Sequence, residues 1–180
     1  MQPEGETAPD FELRGVDRGT VDTYRLSDPL AEGRAVLLFF YPFDFSPVCT
    51  AQLCAIRDAE WFEFTSGLAV WGLSADSVYA HRAFAEEYAL DFPLLSDYDG
   101  SVAADYGVRH DRLQGHQGVS KRSVALVDSS RTVRYAWESD AHDEKPDFAA
   151  IKRAVDRLDE VDSPPSRDFD VRFDDGPPVP

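Results

Sequence analysis

Cys49 and Cys54 are the only cysteines of this 180-residue chain, and they stand five positions apart. They lie in the run Tyr41-Pro42-Phe43-Asp44-Phe45-Ser46-Pro47-Val48-Cys49-Thr50-Ala51-Gln52-Leu53-Cys54. Two cysteines are too few for a disulfide scaffold, and the spacing matches neither a zinc ribbon nor a Cys-x-x-Cys redox motif. In a reducing compartment a structural bridge is not expected either. A reactive thiol is the sharper reading, set against the bland one of a small buried hydrophobe. The thiolate rather than the thiol is the reactive nucleophile. Cys49 sits where such an anion is favoured. A buried strand ends at Pro42, a short loop follows, and Cys49 falls near the start of a helix, whose free N–H groups and dipole attract negative charge. Ser46, three residues earlier, can place its hydroxyl and backbone N–H beside the sulfur.

The spacing Pro42-x-x-x-Ser46-x-x-Cys49 resembles the peroxiredoxin active-site pattern Pro-x-x-x-Thr/Ser-x-x-Cys. Four further segments look like their family counterparts in the same order: Val36 to Tyr41, Leu73 to Ser77, Phe92 to Asp97 and Lys121 to Asp128. The likeness runs from Pro3 to Asp159 and is nearest to the alkyl hydroperoxide reductase E and bacterioferritin-comigratory (Q-type) branches. It implies a thioredoxin-like α/β fold, with a central mixed β-sheet flanked by helices and an N-terminal β-hairpin. It also implies a thiol-dependent peroxidase for hydrogen peroxide and organic hydroperoxides, without a cofactor or metal.

Carried onto this sequence, Cys49 is the peroxidatic nucleophile and Pro42 shields the site from water. Ser46, at the family's Thr position, hydrogen-bonds the peroxide. Arg122 stabilises the thiolate and the charge on the leaving oxygen, with Lys121 as its rival. Gln52 stands where many relatives carry Glu and supports the arginine without a charge. Cys54 occupies the resolving position of Q-type relatives. On an ideal helix, however, Cα atoms five residues apart are roughly 8–9 Å apart, whereas a disulfide needs them within about 7 Å. A bridge therefore requires the first turns of that helix to unwind. The alternative is a buried Cys54, with an external thiol resolving Cys49. The partners implied are a peroxide, a thioredoxin-like or small-thiol reductant, and a second copy in a homodimer. Two other readings are a peroxide-responsive redox sensor or holdase, and a thiol–disulfide oxidoreductase, which typically requires Cys-x-x-Cys.

Several elements must position these residues. Asp10 to Leu13 and Val21 to Leu26 read as strands joined by a turn around Arg14 to Thr20. Ala35 to Tyr41 reads as a strand covered on both faces, followed by a helix from about Pro47 to Phe64 that offers Leu53, Ile56, Trp61 and Phe64 to the core. Leu68 to Ser74 is the next strand, and Ser77 to Leu90 an amphipathic helix with His81 on its apolar face. Short elements are expected at Pro93 to Leu95 and Ser101 to Tyr106. A hairpin pairs Val124 to Asp128 with Thr132 to Trp137, and a last helix starts at Pro146. One domain spans residues 1–160, and the Asp- and Pro-rich stretch 161–180 is expected to be a flexible tail.

His81 is expected to be a satisfied core residue. His110, His116 and His142 are expected in solvated loops, since their spacing fits no standard metal site. The longest apolar run is too short to cross a bilayer, and the N-terminus lacks the regions of a signal peptide, so the expected location is cytoplasmic. With 34 acidic against 18 basic residues and a net charge of −16, the surface repels nucleic acid and acidic membranes. The acids are spread along the whole chain, which suits a protein built for concentrated salt, where self-repulsion is screened. Melting curves in rising KCl test that reading: the melting temperature is expected to climb, and a flat response removes it.

Overall fold

In the computed structural model, residues 1–59, 65, 67–141 and 144–162 are described, with side chains as far as Leu158. The apolar run forms strand β3 (Ala35–Phe40). Because side chains alternate along a strand, Val36, Leu38 and Phe40 enter one apolar cluster while Leu37, Phe39 and the following Tyr41 enter the other. Both faces of β3 therefore need cover. On one face lie α2 (Pro47–Arg57), α3 (Val78–Glu87) and α5 (Phe148–Asp162), which contribute Leu53, Ile56, Phe84, Ile151 and Val155. On the other lie two short helices, α1 (Ser27–Ala31) and α4 (Ser101–Asp105), with Leu30, Val102 and Ala103. No helix among the described residues is long and apolar enough to cross a membrane.

The sheet has the order β2-β1-β5-β4-β3-β6-β7. Its other strands are β1 (Glu12–Asp17), β2 (Thr20–Arg25), β4 (Leu68–Ser74), β5 (Leu94–Ser96), β6 (Arg122–Val127) and β7 (Val133–Ser139). Pairings β3–β4 and β4–β5 are parallel, and all the others are antiparallel. The parallel pairs bring the carboxyl ends of β3, β4 and β5 to one edge, the place where open α/β sheets present their sites. Strand β6 runs against β3 with Phe40 opposite Ser123. Arg122 therefore enters the sheet beside Tyr41, at that same edge.

The mixed sheet, its flanking helices and the opening hairpin match the sequence expectation; several boundaries move. Gly15 reads as a turn residue in sequence yet lies inside β1, opposite Asp22. Its lack of a side chain serves packing: a Cβ there would lie 2.3 Å from Leu95 Cδ2 and 3.0 Å from the Leu94 carbonyl. The real turn is Arg18-Gly19, both with positive φ, the conformation that suits a two-residue hairpin. Strand β6 begins at Arg122, because Arg122 and Ser123 still pair with Ser139 and Glu138. Helix α5 starts two residues after Pro146, where the Asp147 carboxylate accepts from the Ala149 N–H at 2.9 Å. Helix α2 stops at Arg57, and the core roles expected of Trp61 and Phe64 lie outside the described residues. So does the stretch expected as a tail beyond residue 162; α5 itself runs to Asp162, past the expected boundary.

Gly100 precedes α4 with φ +66°, and a Cβ on it would lie 2.4 Å from the Gly118 carbonyl oxygen. Gly100→Ala combines a left-handed penalty with a backbone clash, so it is expected to cost roughly 2–4 kcal/mol. Urea unfolding checks this; a midpoint equal to that of the parent would contradict the packing described.

Candidate active site

The loop leaving β3 ends at Ser46, the cap of α2. Its backbone is extended, and its Oγ accepts a hydrogen bond from the Cys49 N–H at 3.3 Å. Pro47 occupies the first helical position, where a missing N–H costs nothing and φ is already set. Cys49 thus falls in the first turn, near the positive end of the helix dipole. The Ser46 hydroxyl, acting as acceptor in the cap, keeps its own proton free to be donated.

Arg122 reaches this turn from β6. Its Nη2 donates to Cys49 Sγ at 3.4 Å, and its Nη1 donates to Gln52 Oε1. Gln52 follows Cys49 by three residues, so both face the same side of α2. All three side chains are buried, at 1%, 2% and 0% exposure for Cys49, Arg122 and Gln52. Interior charges interact more strongly than solvated ones, and the guanidinium is placed where it can meet charge that develops at the sulfur. Gln52 orients the guanidinium without a charge that would compete for it, and its Nε2 finds no hydrogen-bond partner among the described residues.

Lys121, the rival cation, is committed elsewhere. Its Nζ is 2.7 Å from Asp140 Oδ1 and 3.9 Å from Glu138 Oε2. The bond to Asp140 raises the lysine pKa above its ordinary value and lowers that of the carboxylate. Alternation along the strand sends adjacent residues to opposite faces, which is why Arg122 alone meets Cys49.

Pro42 is buried immediately after Tyr41. Cys54 is half-buried on α2, and both cysteines are free thiols. The helix is continuous from Pro47 to Arg57, so the two sulfurs cannot bond in this conformation.

His81 is the satisfied core residue expected from its helix face. Its Nδ1 lies 2.9 Å from Asp44 Oδ2 and its Nε2 lies 3.1 Å from the Leu95 carbonyl. The Tyr41 hydroxyl donates to Asp44 Oδ1 at 2.8 Å. Burial, and then the Asp44 charge, holds the Tyr41 phenol well above its ordinary pKa. Asp44 belongs to no motif. The signal for it is a carboxylate between Phe43 and Phe45 in an otherwise apolar loop, which must find a partner. His110 is half-buried, with its pKa lowered by burial and then by Lys121, and exposed His116 packs edge-on against Phe43. His142 lies outside the described residues. Among the described residues, no group of three or more His, Cys, Asp or Glu is arranged to hold a metal ion.

Residues 5–136 match the AhpC/TSA family. A Coxiella burnetii protein named as a peroxiredoxin bcp is 37% identical over 137 residues, covering 74% of this chain and 86% of that protein. Chloroplastic peroxiredoxin Q of Triticum aestivum is 34% identical over 142 residues, covering 79% of this chain and 62% of that protein. Among solved structures, peroxidoxin BcpB of Mycobacterium tuberculosis superimposes with a TM-score of 0.73 at 34% identity, over 91% of this chain and all of that one. The reduced 2-Cys peroxiredoxin of Plasmodium vivax does so at 0.77 and 26% identity, over 87% of this chain and 82% of that one.

The Ser46 cap has a measurable weight. Ser46→Ala is expected to lower stability by about 1 kcal/mol, the usual value of a lost cap, whereas Ser46→Thr keeps the hydroxyl and should lose less. Urea unfolding of the reduced protein separates the two; an unchanged midpoint for the alanine variant would mean that the hydroxyl does not cap the helix.

Proposed function

We propose that this chain, which belongs to the AhpC/TSA family and is a thiol-dependent peroxidase of the peroxiredoxin type, reduces hydroperoxides through Cys49. The observation that carries this assignment is the Arg122 guanidinium 3.4 Å from the Cys49 sulfur, in the first turn of α2. The thiolate attacks one peroxide oxygen, an S–O bond forms, and the O–O bond breaks. Cys49 becomes a sulfenic acid, and the second oxygen leaves as water or an alcohol after taking up a proton. Arg122 stabilises the thiolate beforehand and the charge on the departing oxygen during the step. The Ser46 hydroxyl donates to the bound peroxide, while Pro42 keeps water from the sulfur. Gln52 fixes the guanidinium.

Cys54 then resolves the sulfenic acid. Its thiolate attacks Cys49 Sγ; an S–S bond forms, the S–O bond breaks, and hydroxide leaves, taking up a proton to become water. This needs α2 to open from its amino end, and terminal turns open at low free-energy cost. A thioredoxin-type or small-thiol reductant returns both thiols. We place the protein in the cytoplasm, where such reductants keep cysteines reduced; its role there is antioxidant defence and redox homeostasis.

Stopped-flow oxidation with hydrogen peroxide tests the cycle. Cys49→Ser is expected to be inert. Cys54→Ser should react once and then stall unless a small thiol is added. Arg122→Met should slow the first step on the order of 10²-fold or more, as loss of a preorganised charge stabiliser does. Mass spectrometry after one equivalent of peroxide should show a loss of two hydrogens in the wild type. Added oxygen with no disulfide would remove Cys54 from the cycle, and an Arg122→Met variant as fast as the parent would remove the arginine.

A further inference from the structure

The loop leading to the nucleophile is strained. Phe45 has φ +58°, a left-handed conformation that a bulky residue adopts only at a cost. Such strain persists only where the surroundings over-determine it. Phe45 is itself partly exposed, with its ring against Phe84 at 5.0 Å, so one face of the residue is open to solvent.

The residues on either side of it are fixed. Ser46 is held by its place as the cap of α2. Asp44 is held from three directions. Its backbone N–H donates to Asp76 Oδ2 at 2.9 Å, just past the end of β4. Its Oδ1 accepts from the Tyr41 hydroxyl, and its Oδ2 meets His81 Nδ1 at 2.9 Å. The His81 and Asp44 side chains are 0% and 2% exposed. Both ring nitrogens of His81 face oxygen atoms, Asp44 on one side and the Leu95 carbonyl on the other. His81 thereby ties the loop after β3 to strand β5. The charged and titratable groups around this bridge are Tyr41 from the end of β3, Asp76 beyond β4 and Asp44 itself.

We infer that the buried Asp44–His81 bridge is the latch that holds the strained Phe45 turn, and that His81 is a positioning residue for peroxide attack. The inference rests on Cys49 being the nucleophile; only its disulfide-closure readout also rests on Cys54 resolving it. His81 touches neither cysteine; it acts through Asp44, two residues before the Ser46 cap. Without it the Asp44 carboxyl group would lie buried with only the tyrosine hydroxyl as partner, a costly arrangement that is relieved when the loop leaves its place. Loss of the latch moves Ser46 and Cys49 away from Arg122. The same loss frees the first turn of α2, which has to open before Cys49 can meet Cys54.

The bridge thus favours the first half-reaction and hinders the second, and the test reads them separately. The first oxidation is measured in a Cys54→Ser background, where only sulfenic acid can form. There His81→Phe and Asp44→Ala are each expected to slow reaction with hydrogen peroxide by at least about tenfold, the scale on which misplacing a reacting group by about 1 Å acts. Asp44→Asn keeps a hydrogen-bonded bridge, its amide donating to His81 Nδ1 and its oxygen accepting from Tyr41. It should stay within about threefold of the parent, since the contacts made to the loop are the same in number. With Cys54 present, the two disruptive variants should close the Cys49–Cys54 disulfide faster once oxidised, an acceleration that general destabilisation does not produce well below the melting temperature. Hydrogen exchange should rise in residues 43–50 and remain unchanged across β3 and β6. Should His81→Phe not fold, the pair Asp44→Ala and Asp44→Asn decides alone. The proposal falls if the disruptive variants oxidise and exchange like the parent, or if Asp44→Asn is as slow as Asp44→Ala. An inert parent would instead overturn Cys49 as the nucleophile, which Cys49→Ser reports independently.

Discussion

A guanidinium held against a sulfur, away from water, is the contact around which the site is arranged. Burial makes it effective. In bulk water two unit charges about 4 Å apart interact by about 1 kcal/mol, and near a protein surface by about four times that. Burial also makes it demanding, because a desolvated arginine needs its N–H groups occupied. Gln52 meets part of that demand as a neutral acceptor on the same face of α2 as Cys49. The arginine can reach the helix only because β6 runs antiparallel to β3 and begins where β3 ends. One strand pairing thereby brings together residues more than seventy positions apart.

The carboxyl edge of the sheet concentrates everything else that matters to the thiol. The loop after β3 carries Asp44 and Ser46, the turn after β4 carries Asp76, and β5 offers the Leu95 carbonyl to His81. Three parallel strands supply three neighbouring loop ends, and side chains in them bridge from one to the next. A loop joined to its neighbours in this way can sustain a left-handed phenylalanine, which an isolated turn of the same sequence would relax.

Much of this was legible in the chain because local rules and long-range needs coincide. The seven apolar residues from Ala35 could only be a strand covered on both sides, and Ser46-Pro47 before a run of helix formers could only open a helix. Cys49 followed from those two. What was not legible came from tertiary contacts that leave no periodic trace. Gly15 signals a turn locally, but it is glycine because Leu95 and Tyr24 crowd it inside a strand. Lys121 and Arg122 are equivalent cations in sequence. Only the register of β6 decides that one meets Asp140 and the other the sulfur. Asp44 reads as an ordinary loop acid until His81, thirty-seven residues on, is seen beside it.

In the proposed cycle, peroxide attack and disulfide closure make opposite demands on α2. Attack needs Cys49 fixed in the first turn, facing Arg122; closure needs that turn undone, because a regular helix keeps residues 49 and 54 too far apart for a disulfide. A site optimised for rigidity alone would stall after the first step, and one that opened freely would hold the thiolate poorly. The resting structure meets the first demand with small, separable restraints: one serine cap, one buried bridge and one guanidinium contact. In that cycle oxidation acts on the last of these directly, because the oxygen added to Cys49 Sγ has to be accommodated where Arg122 Nη2 meets the sulfur. The contact that attack uses is thus the one that attack disturbs, and in the proposed cycle opening of α2 follows oxidation rather than preceding it.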